Sequence, residues 1–236
     1  MKMRVFPVAL LLAVSFTLVG AKAPTQFAPP KMAGPGWKEA GSHKDFKVYS
    51  RDAKGGIGQV LMVGEIKATP LECFKVVTNY DNFSKVMPYI KFAHLIHTDV
   101  INKNKTIHYA FFYVDAPLVS PRYYTLALAD EKNANKEEGA YMSKWSLVKS
   151  GPYHETPSSP EIKKLSDGKL GKGVETSSNQ GFWLFQPLPG GKGTKVSYMV
   201  LTNPGGSIPH WIANKANTMA LPKLWDALNN AINHHN

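Results

Sequence analysis

Thr106-Ile107-His108-Tyr109-Ala110-Phe111-Phe112-Tyr113-Val114, a break at 115–121, then Arg122-Tyr123-Tyr124-Thr125-Leu126-Ala127-Leu128-Ala129-Asp130-Glu131: this stretch decides the architecture. Both runs are rich in aromatic and apolar residues, follow period two over much of their length, and meet at a proline-containing break. Together these features predict two antiparallel strands. On one parity the first run carries Ile107, Tyr109, Phe111 and Tyr113, and the second carries Tyr124, Leu126 and Leu128.

The same period continues outward. Residues 90–98, 140–148, 181–186 and 195–201 read as further strands, with turn-rich breaks at 102–104, 133–139 and 189–193. Tyr141, Trp145 and Leu147 share a face, as do Trp183 with Phe185, and Val196 with Tyr198 and Val200. Such spacing suits an antiparallel meander. Residues 149–173, with three prolines and four glycines, read as a surface excursion. Upstream, 46–51 and 59–66 are strands flanking the Gly55-Gly56 turn signal. Thr69-Pro70 then places a cap and a first-turn proline before Leu71, Phe74, Val76 and Val77 on one helical face. Near the C-terminus, Ile208, Trp211, Ile212, Met219, Leu224, Trp225, Leu228 and Ile232 recur at three- and four-residue intervals. One long amphipathic helix is expected there, kinked at Pro222. The class is α+β.

The N-terminus reads as a processing segment. Lys2 and Arg4 precede an apolar run over 5–19, and small residues follow at Gly20, Ala21 and Ala23. Residues 1–23 are therefore expected to be a signal peptide, 24–36 a flexible leader and 37–236 the domain. The expected destination is periplasmic or extracellular. Cys73 is the only cysteine, so no internal disulfide can form, and packing must hold the fold. The formal charge of +11 is almost all lysine, since Arg4, Arg51 and Arg122 are the only arginines. This disfavours a nucleic-acid reader, which draws on arginine for bidentate contacts. It suits a solubilising surface, or transient contact with an anionic membrane at up to ~1 kcal/mol per lysine. A monomer is expected.

Catalytic signatures are missing. There is no Gly-x-Ser-x-Gly elbow, no His-Glu-x-x-His helix and no Gly-x-Gly-x-x-Gly after a strand. No catalytic residue, metal ligand or cofactor is expected. The aromatic faces of the strands leave two readings open: an ordinary packed core, or an apolar cavity in which phenols and indoles are isolated polar handles.

Three segments resemble the START lipid-transfer family. Leu118-Val119-Ser120-Pro121-Arg122-Tyr123-Tyr124 is similar to its V-S-P-R-D-F motif. Residues 203–214, with Asn203-Pro204-Gly205-Gly206 and Ile208-Pro209-His210-Trp211-Ile212, resemble the approach to its last helix, and Trp37 with Phe46-Lys47-Val48-Tyr49-Ser50-Arg51 resembles its opening. The resemblance implies a helix-grip fold: a curved antiparallel sheet wrapped around a long C-terminal helix, enclosing a hydrophobic cavity gated by loop 115–121 and that helix. It implies a bound lipid or other hydrophobic small molecule. The ligand-binding residues expected on these grounds are Tyr109, Phe111, Tyr113, Leu118, Val119, Arg122, Tyr124, Leu128, Trp145, Trp183, Tyr198, Trp211, Ile212 and Met219. The buried carboxylate–arginine pair of sterol-binding members aligns with Tyr109 and Leu128, which implies a more apolar or differently anchored ligand. The alternative from another class is a helix-grip enzyme of polyketide cyclase or hydrolase type, for which the inward tyrosines give thin support.

Overall fold

In the computed structural model, which describes residues 27–52, 56–117, 119–209, 214 and 218–234, the period-two runs join into one large curved antiparallel sheet. Its strands are β1 (Lys38–Ser42), β2 (Phe46–Arg51), β3 (Gln59–Ile66), β4 (Ile90–Asn102), β5 (Lys105–Val114), β6 (Arg122–Lys132), β7 (Tyr141–Val148), β8 (Val174–Glu175), β9 (Ser178–Pro187) and β10 (Thr194–Asn203). The order across the sheet is β1-β2-β3-β10-β9-β7-β6-β5-β4, with the two-residue β8 parallel to the start of β6. Hairpins account for most neighbours. The long-range closure is β10 against β3, which joins the ends of the meander to the first hairpin.

Helices cover the inner face. The first, Pro70–Val77, begins at a capping box: the Glu72 amide donates to Thr69 Oγ1 at 3.3 Å, and the Thr69 amide donates to Glu72 Oε2 at 2.6 Å. It buries Cys73, Phe74, Val76 and Val77. Burial pushes the Cys73 thiol up to about 12, which keeps it protonated and unreactive. A short turn at Tyr80–Asn82 runs into the single-turn helix Phe83–Val86.

The C-terminal helix spans Leu221–His234 and buries Leu221, Trp225, Leu228 and Ile232. The interruption expected at Pro222 falls two residues earlier, at Ala220. The proline lies in the first turn, where a missing N–H costs nothing, and Ala220 just before it is a turn. Asn214, Thr218 and Met219 are helical ahead of that break. The helix sits close to the sheet at Gly64, where an added Cβ would come within 2.5 Å of Trp225 Cη2 and 2.6 Å of Asp45 O. Glycine is what lets the indole rest on the β3 backbone.

The outer face is covered as well. The helix Pro160–Leu165, within the 149–173 excursion, lays Ile162 over Phe111 and Tyr113. The stretch read as a flexible leader is tied down over its described part, 27–36. The Tyr49 hydroxyl donates to Phe27 O, Lys195 Nζ to Ala28 O, and Arg51 Nη1 to the carbonyls of Ala33 and Pro35. Phe27, Ala33 and Trp37 pack over Tyr49, Leu61, Val63, Phe182 and Leu184. This cover explains why Leu61, Met62 and Val63 are all fully buried although they alternate in direction. The signal-peptide residues 1–23 lie outside the described residues.

Candidate functional site

Between the inner face of the sheet and the helices lies a cavity of about 330 Å³, within the range of small-molecule sites. The sheet contributes Phe112, Val114, Tyr124, Leu126, Leu128, Trp145, Trp183, Tyr198 and Val200, and the helices contribute Val77, Phe83, Leu221 and Leu224. At one end, Pro88, Tyr89, Ala116, Val119, Ser120, Pro204 and Ile208 complete the wall. Arg122 is the only charged side chain among the described lining residues.

Arg122 acts as a strut. Its Nε donates to Pro204 O at 3.2 Å, Nη2 to Gly205 O at 3.3 Å, and Nη1 to Ser120 O. The guanidinium thus ties loop 115–121 to the segment leading to the last helix. It is buried, no carboxylate among the described residues pairs with it, and desolvation lowers its pKa; the carbonyl dipoles supply the stabilisation a counter-ion would otherwise give.

Deeper in the cavity, Asn179 gathers polar groups. Trp145 Nε1 donates to Asn179 Oδ1 at 2.9 Å, and Thr202 Oγ1 donates to the same oxygen at 3.3 Å. The Asn179 side chain also bears on Tyr124, partly opposing the rise in its pKa that burial causes. Gly181 makes this possible, because an added Cβ would stand 2.9 Å from Trp145 Cε2 and clash with the Met199 carbonyl oxygen. The indole therefore lies flat over the glycine and reaches Asn179, two residues back on the same face. Tyr198 packs on Trp183 at 4.3 Å and on Trp145 at 5.8 Å between ring centroids. Burial raises both Tyr124 and Tyr198 far above the usual phenol range.

A second polar cluster closes the far side. The Tyr80 hydroxyl lies 2.9 Å from both oxygens of Asp130 and 3.2 Å from Ser143 Oγ. Burial pushes the Asp130 carboxyl up to about 7, with Ser143 and Tyr80 opposing the rise. His108 Nε2 stands 3.5 Å from Asp130 Oδ2, and burial lowers its pKa, so a neutral imidazole faces a partly protonated carboxyl at pH 7. Ser143 also lines the main cavity, whereas Asp130 and His108 line a smaller one of about 200 Å³ with Phe74, Thr78, Lys103, Asn104, Thr106 and Lys132.

Of the expected ligand-binding residues, Val119, Arg122, Tyr124, Leu128, Trp145, Trp183 and Tyr198 are brought together on the cavity wall. Tyr109, Phe111 and Tyr113 are not. They point to the outer face, where Phe111 and Tyr113 pack under Ile162, and Tyr109 packs on Tyr153 at 4.3 Å. The correction follows from register: Val114 pairs with Arg122 and Phe112 with Tyr124, so the even-numbered residues of β5 share the face of Tyr124. By the same register His108, not Tyr109, lies opposite Leu128. Met219 is a further correction. It is 65% exposed, because it precedes the turn at Ala220 and lies outside the buried stripe that starts at Leu221. Leu118, Trp211 and Ile212 lie outside the described residues.

Sequence reasoning missed Phe112, Ser143, Asn179 and the Tyr80–Asp130 pair. Asn179 shares parity with Gly181 and Trp183, and β9 begins at Ser178, so extending that strand two residues backward would have found it. Among the described residues, no group of three or more His, Cys, Asp or Glu side chains is placed to hold a metal ion. No helix among them is long and apolar enough to cross a membrane.

No sequence-family model matches the chain, and no curated protein sequence matches it. Solved structures do. A STAR-related lipid transfer protein fragment from Xanthomonas axonopodis superimposes with a TM-score of 0.64 at 23% identity, covering 84% of this chain and 99% of that one. Human StAR-related lipid transfer protein 5 gives 0.67 at 16% identity, covering 86% and 88%. A START superfamily protein from Mycobacterium smegmatis gives 0.51 at 12% identity, covering 75% and 99%. The curved sheet, the helix it holds and these superpositions together identify the fold of this chain as START-like helix-grip.

Proposed function

We propose that this protein binds a hydrophobic lipid in the cavity and carries it between surfaces, with loop 115–121 and the C-terminal helix as the gate. The observation that carries this reading is a largely apolar cavity between sheet and helix, closed at one end by segments that Arg122 ties together. Burying each methylene of a lipid chain there is worth ~0.8 kcal/mol, so a modest alkyl ligand offsets its ordering cost without any catalytic group. The lipid transfer named for the X. axonopodis and human structures supports the reading. A carrier fits better than a catalyst, because Arg122 is the only charged group on the described lining and all three of its nitrogens already donate to backbone oxygens.

Release requires the gate to open at a membrane. Lys223, whose Nζ lies 5.2 Å from the Tyr89 ring centroid, and exposed Lys91, whose Nζ lies 3.5 Å from Asp115 Oδ2 in the gate loop, suit transient contact with anionic lipid. The apolar N-terminal run fits export to the periplasm or beyond, as a monomer. Native mass spectrometry of the purified chain, with lipid extraction, tests the carrier. A co-purifying lipid or stoichiometric uptake from vesicles is expected. Failure to take up any lipid, with conversion of an aromatic polyketide or ester instead, would overturn it.

A further inference from the structure

Tyr198 is a part-buried hydrogen-bond donor with no acceptor among the described residues. Its hydroxyl has no hydrogen-bond partner among the described residues, although the ring lines the cavity. Buried phenols ordinarily find an acceptor, so an unmet one in a ligand-sized space calls for a reason. Asn179 Oδ1 already accepts from both Trp145 Nε1 and Thr202 Oγ1. Outside that pair of bonds, the Tyr198 O–H has no acceptor among the described residues.

We infer that the cavity recognises an uncharged oxygen function on its lipid, a hydroxyl, ester or ketone, which accepts a hydrogen bond from Tyr198. This rests on the carrier reading and names the ligand class for the same cavity. Burial keeps the phenol protonated, and therefore a donor, across the physiological range. Charged headgroups fit poorly. An anion approaching Arg122 meets the carbonyl oxygens of Ser120, Pro204 and Gly205 that already surround the guanidinium. A quaternary ammonium needs open aromatic faces, but Trp183 packs on the Tyr198 ring at 4.3 Å between centroids, and Trp145 packs on it at 5.8 Å.

Trp145 and Trp183 make the test direct, since their fluorescence reports occupancy of the cavity they line. The full chain is titrated with dodecane, dodecanol, methyl dodecanoate, dodecanoate and dodecylphosphocholine. Dodecanol and the methyl ester are expected to bind roughly 2- to 10-fold tighter than dodecane, the range of one net hydrogen bond. Tyr198→Phe should erase that preference, with circular dichroism and the urea unfolding midpoint reporting that the variant is folded. The inference is overturned if dodecanoate or dodecylphosphocholine binds tightest, or if Tyr198→Phe keeps the preference. Equal binding of all five ligands would remove the oxygen subsite and leave the carrier standing. No response to any of them would remove both.

Discussion

The Tyr80 hydroxyl sits 2.9 Å from each carboxylate oxygen of Asp130, in a site where the carboxyl keeps only 7% of its surface. This is a helix-side residue and a sheet residue fifty positions apart, joined where the first helical segment lands on β6. Burial disfavours the charged carboxylate more than the Tyr80 and Ser143 hydrogen bonds favour it, so the folded protein holds its proton up to about pH 7.

That imbalance predicts a pH dependence. A carboxyl whose folded pKa exceeds its unfolded value stabilises the fold most at acid pH. The contribution is lost as pH rises from about 4 to about 7, with a total on the order of 4 kcal/mol. His108 works in the opposite sense, because its depressed pKa costs stability at acid pH. Comparison with Asp130→Asn therefore isolates the carboxyl. Urea unfolding at pH 5 and pH 8 should show the Asn variant gaining on the wild type at the higher pH. A difference that stays constant would rule out an elevated Asp130 pKa.

Arg122→Lys should loosen the gate more than the fold. A lysine ammonium is a point donor and cannot replace a planar guanidinium that serves three carbonyls in two segments. Losing one or two charge-assisted bonds predicts ligand dissociation faster by on the order of 10-fold, with a smaller change in association. Amide exchange should accelerate at 205–208 and leave β9 and β10 protected. Uniform acceleration across the sheet would mean a role in global stability instead.

Gly64→Ala should be among the most harmful small substitutions. The new methyl would meet Trp225 and the Asp45 carbonyl oxygen at 2.5 and 2.6 Å, and overpacking of this kind costs about 1–3 kcal/mol or more. In a Trp225→Leu background the cost should shrink, since part of the clash is with the indole. A double-mutant cycle in urea measures the coupling. Additive effects would mean that the Asp45 backbone, and not the indole, sets the limit.

Adjacent phenylalanines on β5 should separate stability from binding. Phe111→Ala opens the outer layer beneath Ile162, and Phe112→Ala opens the cavity wall. Both should destabilise by about 3–5 kcal/mol. Only Phe112→Ala should change ligand affinity in the fluorescence titration, after correction for folded fraction. An affinity change from Phe111→Ala alone would reverse the facing of β5.

The legibility of this chain varied by strand. In 195–201 and 181–186 the aromatic parity reads unambiguously, and Tyr198, Trp183 and, on β7, Trp145 reach the cavity as expected. In β5, Ala110-Phe111-Phe112-Tyr113 is apolar on both parities because both sheet faces are covered there, so alternation carries no sign. Met219 continued the helical spacing on paper, but the turn at Ala220 separates it from the stripe that packs.

The amino-acid order alone determined the elements and their succession: the period-two runs, the Thr69-Pro70 start of a helix and the amphipathic C-terminal pattern. These depend on steric and hydrogen-bonding preferences that act over a few residues. The tertiary structure alone decided which face of β5 looks inward, that Arg122 bridges two loops, and that Tyr198 is left without an acceptor among the described residues. Each of these depends on strand register and on partners dozens of residues away, and no local pattern specifies which distant group will complete a hydrogen bond.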